Sequence, residues 1–301
     1  MLGLLLCVAV AAQAAERAIP AAADNTLFED PFGSISNGAG PHFYVGPAGP
    51  GIRRGLIRFD LAPTLPVGST VNTAELRLNL NRPLFSPWEP LQIHRLLASW
   101  GEGGSNAGEP GGGGAPATTG DATWLHRFWN TQTWASPGGD FAESPSAATT
   151  PTQLGPVAFT GDFVRDDVQA WHDGAAANHG WLVKLTDESG LRTAHRFDSR
   201  EGLAGPTLLV SFRAGGDATN DDRVNIADFS ILGANFNQPL SGPDNADFNR
   251  NGTVEIGDFS ILAANFNLDL NPPGARGAIP EPNGIAIALA LAAAHRRRRY
   301  P

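Results

Sequence analysis

Two short acidic stretches carry the residues best suited to chemistry. Asp217, Thr219, Asp221 and Asp228 stand at the first, third, fifth and twelfth positions of one, and Asp247, Asn249, Asn251 and Asp258 at the same positions of the other. Side-chain oxygens at this spacing wrap a loop around a single hard cation, and the backbone carbonyl of the seventh position, Arg223 or Thr253, adds a further ligand. An oxygen-only set of this size suits calcium, with two sites of the modest affinity, about 10⁻⁴ M, found in extracellular modules. The sixth position needs a sharp turn. Gly252 suits it in the second loop, whereas the first has Asp222 there.

Each loop runs into the same Phe-Ser-Ile-Leu, starting at Phe229 and again at Phe259. A duplicate at a fixed period means two copies of one loop-helix unit. The pair resembles a type I dockerin over residues 216–270. The resemblance implies a small helical calcium domain and a cohesin-like partner protein, met largely through the tenth and eleventh loop positions. Those positions hold Ile226 and Ala227, then Ile256 and Gly257, where the family often carries a polar pair.

Composition sets the frame for the rest. The formal net charge is −9 over 301 residues, and residues 215–272 hold nine acids against two arginines, a balance of 2 − 9 = −7. The acidity is therefore mostly metal-site acidity, and it argues against a nucleic-acid partner. Gly and Pro number 36 and 24, yet 42% of the chain is hydrophobic, which reads as short strands joined by turns and not as disorder. Cys7 is the single cysteine, inside an apolar N-terminal run, so a chain processed after that run has no disulfide to rely on.

That run, Leu2 to Ala12, followed by Ala12-Gln13-Ala14, fits a secretory signal over residues 1–14. At the other end, Pro280-Glu-Pro282, an apolar stretch to Ala294 and Arg296 to Arg299 resemble a PEP-CTERM sorting signal at 280–299, within a tail of 271–301. The resemblance implies a sorting protease as partner, a secreted or cell-surface destination and transient inner-membrane anchoring. The apolar part is about a dozen residues, short of the ~20 that span a bilayer.

Between the ends, residues 15–213 show strand signals at 55–61, 71–80, 91–97, 157–160, 181–186, 195–198 and 208–212. Ala74, Leu76, Leu78 and Leu80 alternate with Glu75, Arg77 and Asn79, one face for a core and one for water. Almost no helical periodicity is evident, and the Gly-rich stretch Gly103 to Gly120 reads as a long mobile loop. The fold class expected is mainly β: a jelly-roll-like β-sandwich followed by the small α-helical calcium domain.

Several segments, in order, resemble the DNRLRE domain, a secreted sandwich related to carbohydrate-binding modules. They are Leu56-Ile-Arg-Phe-Asp-Leu61, Thr73 to Leu80, Ser99-Trp-Gly-Glu102, Gly120 to Phe141, Phe197-Asp-Ser-Arg-Glu201 and Pro206 to Phe212. The resemblance implies polysaccharide as a partner. Tryptophan faces stack on sugar rings, and Trp100, Trp124 and Trp134 are the candidates, the last two because they flank a polar, turn-rich stretch. Each tryptophan also has a plain reading as a core or loop-anchoring residue.

Catalytic patterns are sparse. Asp166 and Asp167, taken as strand neighbours, face opposite sides, the histidines lack metal spacing, and no nucleophile motif is present. The expected role is non-catalytic: binding or organising extracellular polysaccharide. The alternatives are a polysaccharide hydrolase or lyase, whose groove would gather two carboxylates or a His/Tyr/Arg group, and a structural surface protein without a ligand.

Overall fold

The computed structural model describes residues 14–49, 51–83 and 88–271. The expected N-terminal signal, up to Gln13, and the sorting signal at 280–299 lie outside the described residues. The strands are β1 Ala15–Phe28, β2 Ile35–Ser36, β3 His42–Val45, β4 Arg53–Phe59, β5 Thr70–Pro83, β6 Leu91–Arg95, β7 Ala115–Pro116, β8 His126–Phe128, β9 Gln132–Thr133, β10 Ala147–Thr149, β11 Gly155–Thr160, β12 Trp181–Leu185, β13 His195–Asp198 and β14 Thr207–Arg213. The helices are α1 Asp162–His172, α2 Ile226–Asn235 and α3 Ile256–Ala264, with a 3₁₀ turn at Pro243–Asn245. The class is mainly β, as the alternating pattern in β5 implies.

All strand pairings are antiparallel, and β1 belongs to two sheets. Its first half, Ala15 to Pro20, pairs with β14, and its second half, from Ala21 to Phe28, pairs with β4 across a bulge between Ala21 and Ala23. One sheet then continues through β14, β5, β13 and β3, with β11 also on β5, and the other through β4, β12, β6 and β10. Leu76, Leu78 and Leu80 from the first meet Ile57, Ile93, Trp181 and Val183 from the second in the main core.

The second sheet is apolar on both faces. Ile57 and Val183 enter the main core, while their neighbours Leu56 and Leu182 project the other way into a separate cluster with Trp100, Trp124 and Trp134. A sheet with two apolar faces must be covered twice. The cover here is the long excursion between β6 and β10. Its Gly-rich part is tied down rather than loose: β7 pairs with β2, the Ser105 hydroxyl donates to Asp121 at 3.0 Å, and the Gly38 amide donates to Ser105.

The sequence reading missed α1, which buries Val164, Val168 and Trp171. Spacings of four and three put these on one helical stripe. Asp166 and Asp167 are therefore helical neighbours, not a strand pair. Among the described residues no helix is long and apolar enough to cross a membrane.

Candidate functional site

Each acidic loop enters its helix through a capping box. Asn225 caps α2 and Glu255 caps α3, and the twelfth-position carboxylate reaches back in both: Asp228 Oδ2 accepts from the Asn225 amide and Asp258 Oδ2 from the Glu255 amide, each at 2.8 Å. The other oxygen faces into the loop. Asp228 Oδ1 accepts from the Thr219 amide and hydroxyl, both at 2.9 Å, and Asp258 Oδ1 from the Phe248 and Asn249 amides at 2.7 and 3.0 Å.

The first-position acids gather the turn. Asp217 accepts from the Asp221 and Asp222 amides, and Asp247 from those of Asn251 and Gly252, all at 3.1–3.2 Å. The sixth position is left-handed in both loops, with φ of 63° at Asp222 and 87° at Gly252. The first loop therefore holds an aspartate where glycine is easier.

The two repeats clasp each other. Val224, eighth in the first loop, pairs with Asn267 and Leu268 after α3, and Val254 pairs with Asn237 and Gln238 after α2. Between them lie Ala218, Leu232, Phe248 and Leu262, a core too small to carry the module by itself.

Asp217, Asp228, Asp247 and Asp258 are all buried, and none forms an ion pair among the described residues. Burial holds the Asp217 carboxyl above its ordinary range, with the nearby Asp228 charge acting in the same direction. Buried carboxylates without a cation are costly, and the surrounding donors, amide and hydroxyl oxygens and carbonyls, are those a hard cation takes. The residues fit calcium, which would supply the missing positive charge. One donor escaped the sequence reading: Glu255, at the ninth position, lies beside the loop, and the Asn251 side-chain amide donates to it at 2.8 Å. Position nine is a recurrent, often water-mediated ligand position, and that was its signal.

The outer ends of the helices are apolar. Ile226 and Ile256, in the tenth positions, are 67% and 65% exposed, and Phe229 and Phe259 are each 39% exposed. The opposite side of the module rests on the sandwich. The Asn265 side-chain amide donates to the Val67 carbonyl at 2.8 Å, and Arg250 pairs with Asp173 at the end of α1 and donates to Thr70 at 3.2 Å.

The tryptophan candidates are not at the surface. Trp100, Trp124 and Trp134 are only 2%, 8% and 5% exposed. The indole of Trp100 donates to the His179 carbonyl and that of Trp134 to the Thr123 carbonyl, while the Arg54 guanidinium lies over Trp124 at 4.9 Å. They anchor the loop layer on Leu56 and Leu182 and have no free face for a sugar.

A different surface gathers polar groups. Tyr44, Arg196 and Arg82 are register partners across β3, β13 and β5. With Arg53, Pro110 and Gly112 they line a pocket of about 330 Å³. Beside it His42 sits between Glu109 at 2.5 Å and Asp198 at 3.3 Å.

Residues 215–267 match the dockerin type I domain. The chain thus carries a type I dockerin; such domains bind calcium, take cohesins as partners and occur in extracellular or cell-surface proteins. No curated protein matches the chain.

Proposed function

We propose that this protein is a non-catalytic extracellular adaptor: its dockerin docks on a cohesin-type partner, and its sandwich, residues 15–213, holds a polysaccharide whose sugars carry carboxylates. The observation that carries the polysaccharide part is the row Tyr44, Arg196, Arg82, with Arg53 at its edge. Three guanidiniums line a pocket with an aromatic wall, and the carboxylates beside it, Glu109 and Asp198, leave 3 − 2 = +1. Arginine forks match carboxylates, and an aromatic ring beside them suits a pyranose face. The resemblance to the DNRLRE sandwich supports the same reading, and the PEP-CTERM-like tail supports delivery to the cell surface through a sorting protease.

A lyase is the second reading, because His42, Tyr44 and Arg196 stand close together as such chemistry would ask. Their present bonding favours binding. The Tyr44 hydroxyl donates to the Pro110 carbonyl, and both His42 nitrogens are engaged, so each would have to exchange these partners before acting on a substrate. Affinity electrophoresis of the full chain in gels carrying a carboxylated or a neutral polysaccharide tests the proposal. Retention by the carboxylated gel is expected, and equal mobility in all gels overturns it.

A further inference from the structure

Asp24, Glu102 and Glu201 come from three separate parts of the sandwich: β1 just past its bulge, the loop after β6, and the loop between β13 and β14. One carboxylate oxygen from each lies within 4.8 Å of the others. Asp24 is completely buried. Its Oδ2 accepts from the Arg200 amide at 2.6 Å, but its Oδ1 is buried with no hydrogen-bond partner. A proton placed on Oδ1 would remove the charge and still leave a buried hydroxyl without an acceptor. Only an ion or an ordered water can then face it.

The charges around it are unbalanced. Arg200 Nε reaches Glu102 at 2.6 Å and Glu201 at 3.0 Å, so one guanidinium stands against three carboxylates, 1 − 3 = −2. The donors are all oxygen, with neither imidazole nor thiolate in the group. Two oxygens bound at about 2.4 Å to one calcium ion lie at most about 4.8 Å apart, and the three carboxylate oxygens lie within that limit. Glu201 is partly exposed, which leaves a side open for water to complete the shell.

We propose that Asp24, Glu102 and Glu201 hold one divalent, oxygen-preferring cation, calcium in the first place, which ties three loops of the sandwich together. The site is separate from both dockerin loops.

Equilibrium dialysis of the full chain against calcium chloride, taken to about 10⁻² M to cover weak extracellular sites, tests this. Glu201→Gln, on a partly exposed loop, is expected to bind one ion fewer than the parent, and Asp24→Asn the same. A chain with Asp217→Ala and Asp247→Ala is expected to keep one ion. If Glu201→Gln binds as much calcium as the parent at every concentration, the proposal fails. It fails too if the chain with both dockerin loops disabled, folded by circular dichroism, binds none. Should Asp24→Asn not fold, Glu201→Gln alone decides.

Discussion

Phe229 and Phe259 hold the same place in the two dockerin repeats, and their rings meet edge to face with centroids 6.1 Å apart and planes at 68°. An edge-to-face pair is a favoured aromatic geometry, and here it joins the starts of α2 and α3. With Ile226 and Ile256 it leaves one apolar strip facing solvent, on the side of the module away from the sandwich. Apolar residues grouped in this way mark an interaction surface. The chain with both Ile226→Asp and Ile256→Asp is expected to lose at least tenfold in affinity for a cohesin that binds the parent, a change of about 1.4 kcal/mol. Calcium binding should be unaltered, since neither side chain is a ligand. Titration calorimetry with the metal and with cohesin domains reads both.

Calcium should set the stability of the dockerin. The four buried loop aspartates form no ion pair among the described residues, and a ligand at 100 times its dissociation constant contributes about 2.7 kcal/mol per site. Chelation is expected to lower the melting temperature of the chain clearly. Asp258→Ala should cost more than the metal alone, because it also removes the acceptor for the Phe248, Asn249 and Glu255 amides. Scanning calorimetry with and without chelator measures both effects, and melting curves that coincide would count against the calcium account.

These loops were legible in the sequence because their pattern is local: twelve consecutive residues, repeated once, and each stretch runs into the start of a helix. The β5 alternation was legible for the same reason. The tryptophans were misread because their surroundings are not local. Leu56 beside Ile57, and Leu182 beside Val183, form strands apolar on both faces, and that pattern asks for a covering layer, which Trp100, Trp124 and Trp134 then anchor. Helix α1 escaped because its stripe is only Val164, Val168 and Trp171. Asp24, Glu102 and Glu201 could not be grouped at all, since only the folded sandwich brings β1 and two distant loops together.

The two modules should melt as one unit while Arg250 holds Asp173. This pair, with the Arg250 bond to Thr70 and that of Asn265 to Val67, borders a cleft of about 560 Å³ between the modules. Both partners are partly exposed, so the pair is worth only about 0.5–1 kcal/mol. Arg250→Ala is expected to resolve a lower dockerin transition from the sandwich transition in calorimetry. Asp173→Asn should do the same, and the double variant should add little, because the two side chains serve one contact.

Histidine burial gives the sandwich a pH dependence of known sign. His94, His172, His179 and His195 are each held below the ordinary imidazole pKa, in every case chiefly by burial. As the pH falls through about 6.5, the unfolded chain takes up protons that the folded chain refuses, so stability present above that point is lost on acidification. His195 is completely buried and donates from Nδ1 to the Thr193 carbonyl, and its Nε2, like that of His172, is buried without a partner, so a charge there finds no acceptor. Melting temperatures between pH 7.5 and 5 should fall, and His195→Gln should flatten the slope.

The arginine row makes the most direct prediction about ligand. Arg82 is exposed and forms no ion pair among the described residues, whereas Arg196 is bound to Asn81 and Glu109, and Arg53 to the carbonyls of Ala48, Gly51 and Gly112. Arg82 is thus the guanidinium free to meet a sugar carboxylate, and the other two shape the pocket wall. Arg82→Ala should leave the melting temperature nearly unchanged and weaken retention by a carboxylated polysaccharide about tenfold, the loss of a charge-assisted contact of about 1.5 kcal/mol. Arg82→Lys should recover only part of it, because an ammonium keeps the charge and loses the fork. Retention should also fall as salt rises, as it must for a contact between exposed charges. If Arg82→Ala is retained as strongly as the parent, the polysaccharide lies elsewhere on the sandwich.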